Sequence, residues 1–225
     1  MILVCHQPNF LPYLGYFYKL YKSDVYSVSD TCGFTNHKEN GIHNYNFINE
    51  FGNRNKLTLP VDRHSGRLCD VLIAPEWERQ KDKILKRIYH AYHKAPHFEE
   101  VWADIEPIFQ NIKVGQKMVF VNLAFTIMIC RKMGIERPIY FESLEEPDLP
   151  SDPDDAIIYM CKLAHCDKYM VGVHGGQYMN FDKYKEAGIE LVYSDFDKEK
   201  DLTGNYLSIL DYIMNYGYVI PKEWN

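Results

Sequence analysis

The chain has 225 residues, 46% hydrophobic and 25% charged, which is enough apolar surface for one α/β core and too much for a disordered segment. Its formal charge of −6 argues against a protein whose main task is to coat nucleic acid or anionic membrane, because both need a positive field. No stretch approaches the roughly 18 uninterrupted apolar residues of a spanning helix, and the apolar opening Met1-Ile2-Leu3-Val4-Cys5 is interrupted too soon for a signal peptide.

Residues 2–5 form a short apolar run followed by a polar, Pro-containing stretch, which suits a buried strand ending in a loop. Leu11, Leu14, Phe17, Tyr18 and Tyr21 then recur at helical spacing over 11–22, with Pro12 in the first turn, where a missing amide hydrogen is harmless. Residues 25–30 alternate as a second strand. From 31 to 55 the composition shifts to Asn, Gly, His and Phe without a period, which predicts a long functional loop. Strands are expected at 56–61 and 69–74, and an amphipathic helix at 77–93, stopped by Pro96. Helices follow at 98–110 and 118–133, with Gly134 as C-cap. The second half reads as a strand at 138–143, an acidic loop to 155, a helix at 156–165 and a strand at 168–173. A short helix at 181–187, a strand at 189–193 and a helix at 206–216 complete it.

This order predicts an α/β fold: a mostly parallel sheet flanked by helices, with a helical C-terminal half. One domain over 1–225 is expected, with 77–134 as a candidate helical subdomain. Cys5, Cys32, Cys69, Cys130, Cys161 and Cys166 lack any C-x-x-C pairing, so they read as reduced core thiols of a cytoplasmic protein. Tyrosines number 18, and their apolar rings with polar tips suit clefts and a homodimer interface.

In an open parallel sheet, ligands bind outside the carboxyl ends of strands. Two segments leave a predicted strand there. His6-Gln7-Pro8-Asn9 offers an imidazole, two carboxamides and the amino end of a helix, a set able to hold an anionic group. His174-Gly175-Gly176-Gln177 offers paired glycines that allow close backbone approach. The competing structural explanations are a helix cap for the first and a tight turn for the second.

His6-Gln7-Pro8-Asn9-Phe10-Leu11-Pro12-Tyr13-Leu14-Gly15-Tyr16-Phe17, with Lys19 and Ser23-Asp24-Val25 after it, resembles the opening signature of the WbqC-like family. The likeness continues at Leu57-Thr58-Leu59-Pro60-Val61, Ala91-Tyr92-His93-Lys94-Ala95-Pro96, Glu186-Ala187-Gly188-Ile189 and Leu207-Ser208-Ile209-Leu210-Asp211. Members tend to be encoded beside genes for surface-polysaccharide and nucleotide-sugar biosynthesis, so the resemblance implies group transfer in that setting. The family's Asn-Arg-Asn element corresponds either to Asn44-Tyr45-Asn46 or to Asn53-Arg54-Asn55. Its Ser-Gly-x-Gly type loop is replaced by Gly172-Val173-His174-Gly175-Gly176, and its basic helix start by Asp154-Asp155-Ala156-Ile157-Ile158.

His6, Asn9 and His174 are therefore the catalytic candidates, His6 as a general base with a side chain that titrates near neutral pH. Substrate-binding candidates are Gln7, Tyr13, Tyr16, Lys19, Asp30, Asn44, Asn46, Arg54, Asn55, Gly175, Gly176 and Gln177. No metal site is expected: His90, His93 and His97 flank Pro96, which works against one coordination geometry. No cofactor is named by the sequence.

The expected activity is transfer of an acyl or aminoacyl group, glycyl being one candidate, to an amino sugar or a nucleotide-linked sugar. The partner is then a small molecule, a sugar nucleotide or an amino acid, with no membrane. Two alternatives stand beside it. Lys81, Lys83, Lys86, Arg87 and Lys94, interleaved with Tyr89 and Tyr92, could touch nucleic acid in an enzyme joining amino acids to hypermodified pyrimidines of phage DNA. A non-enzymatic ligand-binding module is the other.

Overall fold

Strand β1 (Ile2–His6) is apolar on both faces, so helices must cover it above and below. The computed structural model, which describes residues 1–34, 43–62, 66–172, 175, 179–197 and 199–224, shows how. Helix α1 (Leu14–Lys22) carries the chain back to β2 (Val25–Val28), which pairs parallel with β1. Then come the hairpin strands β3 (Tyr45–Glu50) and β4 (Asn53–Thr58), and helices α2 (Trp77–Tyr92), α3 (Phe98–Asn111) and α4 (Met118–Lys132). Alternation of strand and helix resumes with β5 (Ile139–Phe141), α5 (Pro153–Leu163), β6 (Lys168–Val171), α6 (Phe181–Glu186), β7 (Glu190–Tyr193) and α7 (Ile209–Tyr216). The main sheet has the order β5-β2-β1-β6-β7 with every neighbouring pair parallel.

Adjacent side chains in each strand enter different cores, as the pleat demands. Leu3, Val25 and Tyr169 join Ile158 and Cys161 of α5 and Tyr184 of α6 on one face. Val4, Tyr26 and Met170 join Phe17 of α1 and Phe125 and Ile129 of α4 on the other. Among the described residues no helix is long and apolar enough to cross a membrane.

Several local expectations change. The predicted loop 31–55 contains β3 and the start of β4, closed by Phe51 and Gly52 at φ 54° and 83°; two consecutive positive φ values match the primed turns that suit hairpin twist. The predicted strand at 69–74 is instead a 3-10 turn, Leu68–Asp70, followed by single bridges from Leu72 to Lys117 and from Ile73 to Val61. Leu11 does not begin α1: its φ is 44°, outside the helical region, and the helix starts at Leu14. Helix α5 begins earlier than expected because Asp152 accepts from the amides of Asp154 and Asp155. Helix α7 begins later, at Ile209, because the Ser208 side chain accepts from the Leu210 amide.

Gly15 makes room for the entry to α1. A methyl at this position would stand 2.6 Å from Phe196 Cδ1 and would overlap the Tyr13 ring. Gly15→Ala should destabilise the fold by about 1–3 kcal/mol through overpacking, measured as a lower urea midpoint at unchanged slope. An unchanged midpoint would show that the two rings move aside freely.

Candidate functional site

The connection after β1 runs through α1 to β2 on one side, whereas the chain reaches β6, β1's other neighbour, only after β5 and α5. A reversal of this kind leaves a crevice at the carboxyl ends of the two strands. Ile2 pairs with Lys168 and Leu3 with Tyr169, so the same register carried forward brings His6 level with Gly172. The end of the first strand and Gly172 therefore share one rim. Of the glycine-bearing turn after β6, Gly172 and Gly175 are described, while His174, Gly176 and Gln177 lie outside the described residues. Gly175 is buried, its amide donates to Gly172 O at 2.9 Å, and a Cβ on it would approach Val171 Cγ1 to 2.6 Å.

His6 is half-buried, with its ring centroid 4.1 Å from that of Tyr16 on α1. Tyr16 is wholly buried and its hydroxyl is hydrogen-bonded to that of Tyr26 on β2. It therefore backs the imidazole from inside the core and offers no surface to a solute. His6 Nδ1 donates to Gln7 O at 3.3 Å, which leaves Nε2 as the basic atom. Burial, reinforced by the positive charge of Lys19, holds the His6 pKa well below its ordinary 6.5. The ring is accordingly neutral at neutral pH.

Lys19 stands three residues after Tyr16, on the same side of α1. The nearest atom to a Cβ built on Gly172 would be Lys19 Nζ, at 4.0 Å. Desolvation lowers the Lys19 pKa from 10.5 to about 8. The rim next to β1 thus holds an imidazole, an amine and an uncluttered glycine.

The rest of the motif faces inward. Asn9 is buried, and its Oδ1 lies 3.3 Å from Nδ1 of His43. The Asn122 side chain, on α4, donates to both Pro8 O and His43 O at 2.8 Å. Asn46 donates to Leu11 O at 2.6 Å, and the Phe10 amide donates to His43 O at 3.0 Å. These bonds satisfy buried carbonyls of a loop that no sheet or helix pairs. Asn44 is occupied in the same way, donating to Leu59 O at 2.9 Å. Tyr13 is half-buried between the rings of Phe196 and Tyr206.

The remaining candidates do not gather at the imidazole. Asp30 is buried and accepts from the amide and hydroxyl of Ser143, at 2.9 and 2.6 Å. Arg54 and Asn55 sit on the exposed outer part of the β3–β4 hairpin, the guanidinium 3.4 Å from the Phe47 ring centroid. In the basic-aromatic helix, Arg87 makes a two-point contact with Glu50 at 2.9 and 2.5 Å, Tyr92 is buried, and Tyr89 stacks on His93. No group of three metal-ligating side chains occurs among the described residues.

Three residues outside the candidate set are buried beside the motif or a strand end. His43 is 1% exposed, with burial taking its pKa down to about 4; its Nε2 and Asn122 Oδ1 are buried without a hydrogen-bond partner. Glu142, at the end of β5, accepts from Ser29 at 2.6 Å and Thr31 at 2.8 Å, and burial raises its pKa. Asn122 alone had a visible signal, a carboxamide within an apolar helical stripe. A cavity of about 260 Å³ lies apart from the crevice, beside Arg137 and Ile139 at the opposite ends of the strands. Its Arg137 guanidinium is already held by the carbonyls of Leu20, Tyr21 and Glu136, so the cavity carries less polar chemistry than the crevice.

A sequence model described as the WbqC-like protein family matches residues 7–221. No curated protein and no solved structure matches the chain.

The buried imidazole of His43 links stability to pH. Its folded pKa, about 4, lies below the ordinary 6.5, so the unfolded chain binds the extra proton and stability falls as pH drops from about 6.5 toward 4. Asp211, raised from 3.8 to about 6 by burial, acts in the opposite direction over part of that range. Comparing variants removes its contribution. His43→Gln should flatten the loss of unfolding free energy between pH 6.5 and 4 relative to the unmodified chain, measured by urea denaturation; parallel curves would rule out a neutral buried His43.

Proposed function

The chain belongs to the WbqC-like protein family, and on that premise we propose that it transfers an acyl or aminoacyl group, glycyl among the candidates, to an amino sugar or nucleotide-linked sugar in surface-polysaccharide biosynthesis. The observation that carries this reading is the half-exposed His6, neutral and oriented through Nδ1, at the crevice between β1 and β6.

The acceptor amine attacks the acyl carbonyl of an activated donor. A bond forms between its nitrogen and the carbonyl carbon, and the bond to the donor's leaving group breaks. His6 Nε2 takes the proton released by the amine and returns it to the leaving group. Gln7, half-buried next to His6, orients the acceptor. Tyr16 acts through His6, because its ring fixes the imidazole plane while its hydroxyl is tied to Tyr26.

The test begins by incubating the protein with amino sugars, nucleotide-linked amino sugars and activated acyl donors, and reading acylated products by mass spectrometry. With a substrate in hand, His6→Ala should lower kcat about 100-fold or more while leaving the far-ultraviolet circular dichroism unchanged. Turnover within about threefold of the unmodified protein would remove His6 from the chemistry.

A further inference from the structure

The cavity of about 260 Å³ lies between the last turns of α1 and α4 and the starts of β2 and β5. Tyr26 and Ile139, register partners across β2 and β5, form its sheet-side wall, and Leu20, Ile127 and Ile135 add apolar surface. Its charged lining residues do not reach inward as free charges. Arg131 and Glu136 are exposed, and the Arg137 guanidinium is spent on backbone carbonyls. Cys130 is buried, and burial pushes its pKa up to about 12, so the thiol is neutral. The depth of the cavity is therefore uncharged.

One polar group on that wall is incompletely used. Tyr26 is 2% exposed and Tyr16 0%, and among the described residues their hydroxyls are each other's only hydrogen-bond partners. Burial raises the pKa of both, so each oxygen keeps its proton. Two protonated hydroxyls that share one hydrogen bond use one O–H as donor and leave the other without an acceptor. Thr126, the other hydroxyl of the lining, donates to Asn122 O at 3.1 Å on its own helix. Buried donors are normally matched, and Tyr26 is the member of the pair that lines open space.

We propose that this cavity is a second ligand site, for an uncharged apolar molecule of one-ring size that carries a carbonyl oxygen, with the Tyr26 hydroxyl donating to that oxygen. The size follows from the volume: an apolar cavity of about 150 Å³ holds benzene, and this one leaves room for a ring with a short substituent. Its make-up, apolar walls with a single placed donor, is that of small-molecule sites in general. With the ligand bound, Tyr26 donates to the ligand and Tyr16 donates to Tyr26, so both buried hydroxyl protons have acceptors. The inference is independent of the transferase reading, whose crevice lies at the other ends of the strands.

The experiment titrates the full nitrogen-labelled chain with acetophenone and, separately, with α-methylstyrene, which keeps the shape but replaces the carbonyl oxygen by a methylene group. Proton–nitrogen correlation spectra are the readout. Acetophenone should shift the amides of Leu20, Tyr26, Ile135 and Ile139 saturably and leave those of His6 and Gly172 in place. α-Methylstyrene should shift the same amides but bind about fivefold or more weakly, the worth of one hydrogen bond. In Tyr26→Phe the two ligands should bind equally well. Absent saturable shifts, shifts centred on His6 and Gly172, equal affinity for the two ligands in the unmodified protein, or an undiminished preference for acetophenone in Tyr26→Phe would each overturn the proposal.

Discussion

Parallel pairing of β1 with β2 on one side and β6 on the other is the constraint from which the remaining geometry follows. A strand paired on both edges and covered on both faces has no freedom to shift register, since a slip of one residue would exchange Leu3 and Val4 between the two cores. The end of β1 is thereby a fixed point. His6 inherits that rigidity and is fixed again by the Tyr16 ring, whose hydroxyl is bonded to Tyr26 on the adjacent strand. A group meant to hold or move a proton at a defined atom needs such support.

The loop after β1 shows how buried polar groups do structural work beside a site. Its carbonyls at Pro8 and Leu11 would be orphaned in the core, and the amides of Asn122 and Asn46 supply their partners. Leaving a buried carbonyl without a partner costs about 1–3 kcal/mol, so these side chains hold the loop backbone against the core. His43, which faces Asn9 and whose carbonyl accepts from the Asn122 side chain, belongs to the same network.

Much of the frame was legible because it rests on local periodicity. The strand at 2–5, the helices at 77–93 and 118–133 and the strand at 168–173 follow from apolar spacing that tertiary contacts reinforce. The β3 strand and the start of β4 were hidden because Asn recurs through the hairpin and four of the six β4 residues are exposed at its outer end. The apparent strand at 69–74 was apolar for a different reason: Val71 and Ile73 are core residues on an irregular segment tied by single bridges. At the site, His6 and Gln7 could be singled out by their place after a strand, and Lys19 by its place in the motif. His43 could not, because its partner Asn9 lies 34 positions away in sequence and only the folded chain joins them.

The central claim is that His6 stands at the β1–β6 crevice as a neutral imidazole, oriented through Nδ1 and basic at Nε2. The most direct measurement is nitrogen NMR of protein labelled at histidine, recorded near pH 7, with His6→Ala to assign the His6 signals. The His6 ring should appear as a neutral imidazole with its proton on Nδ1. A charged His6 ring, or a neutral one that carries its proton on Nε2, would contradict the account.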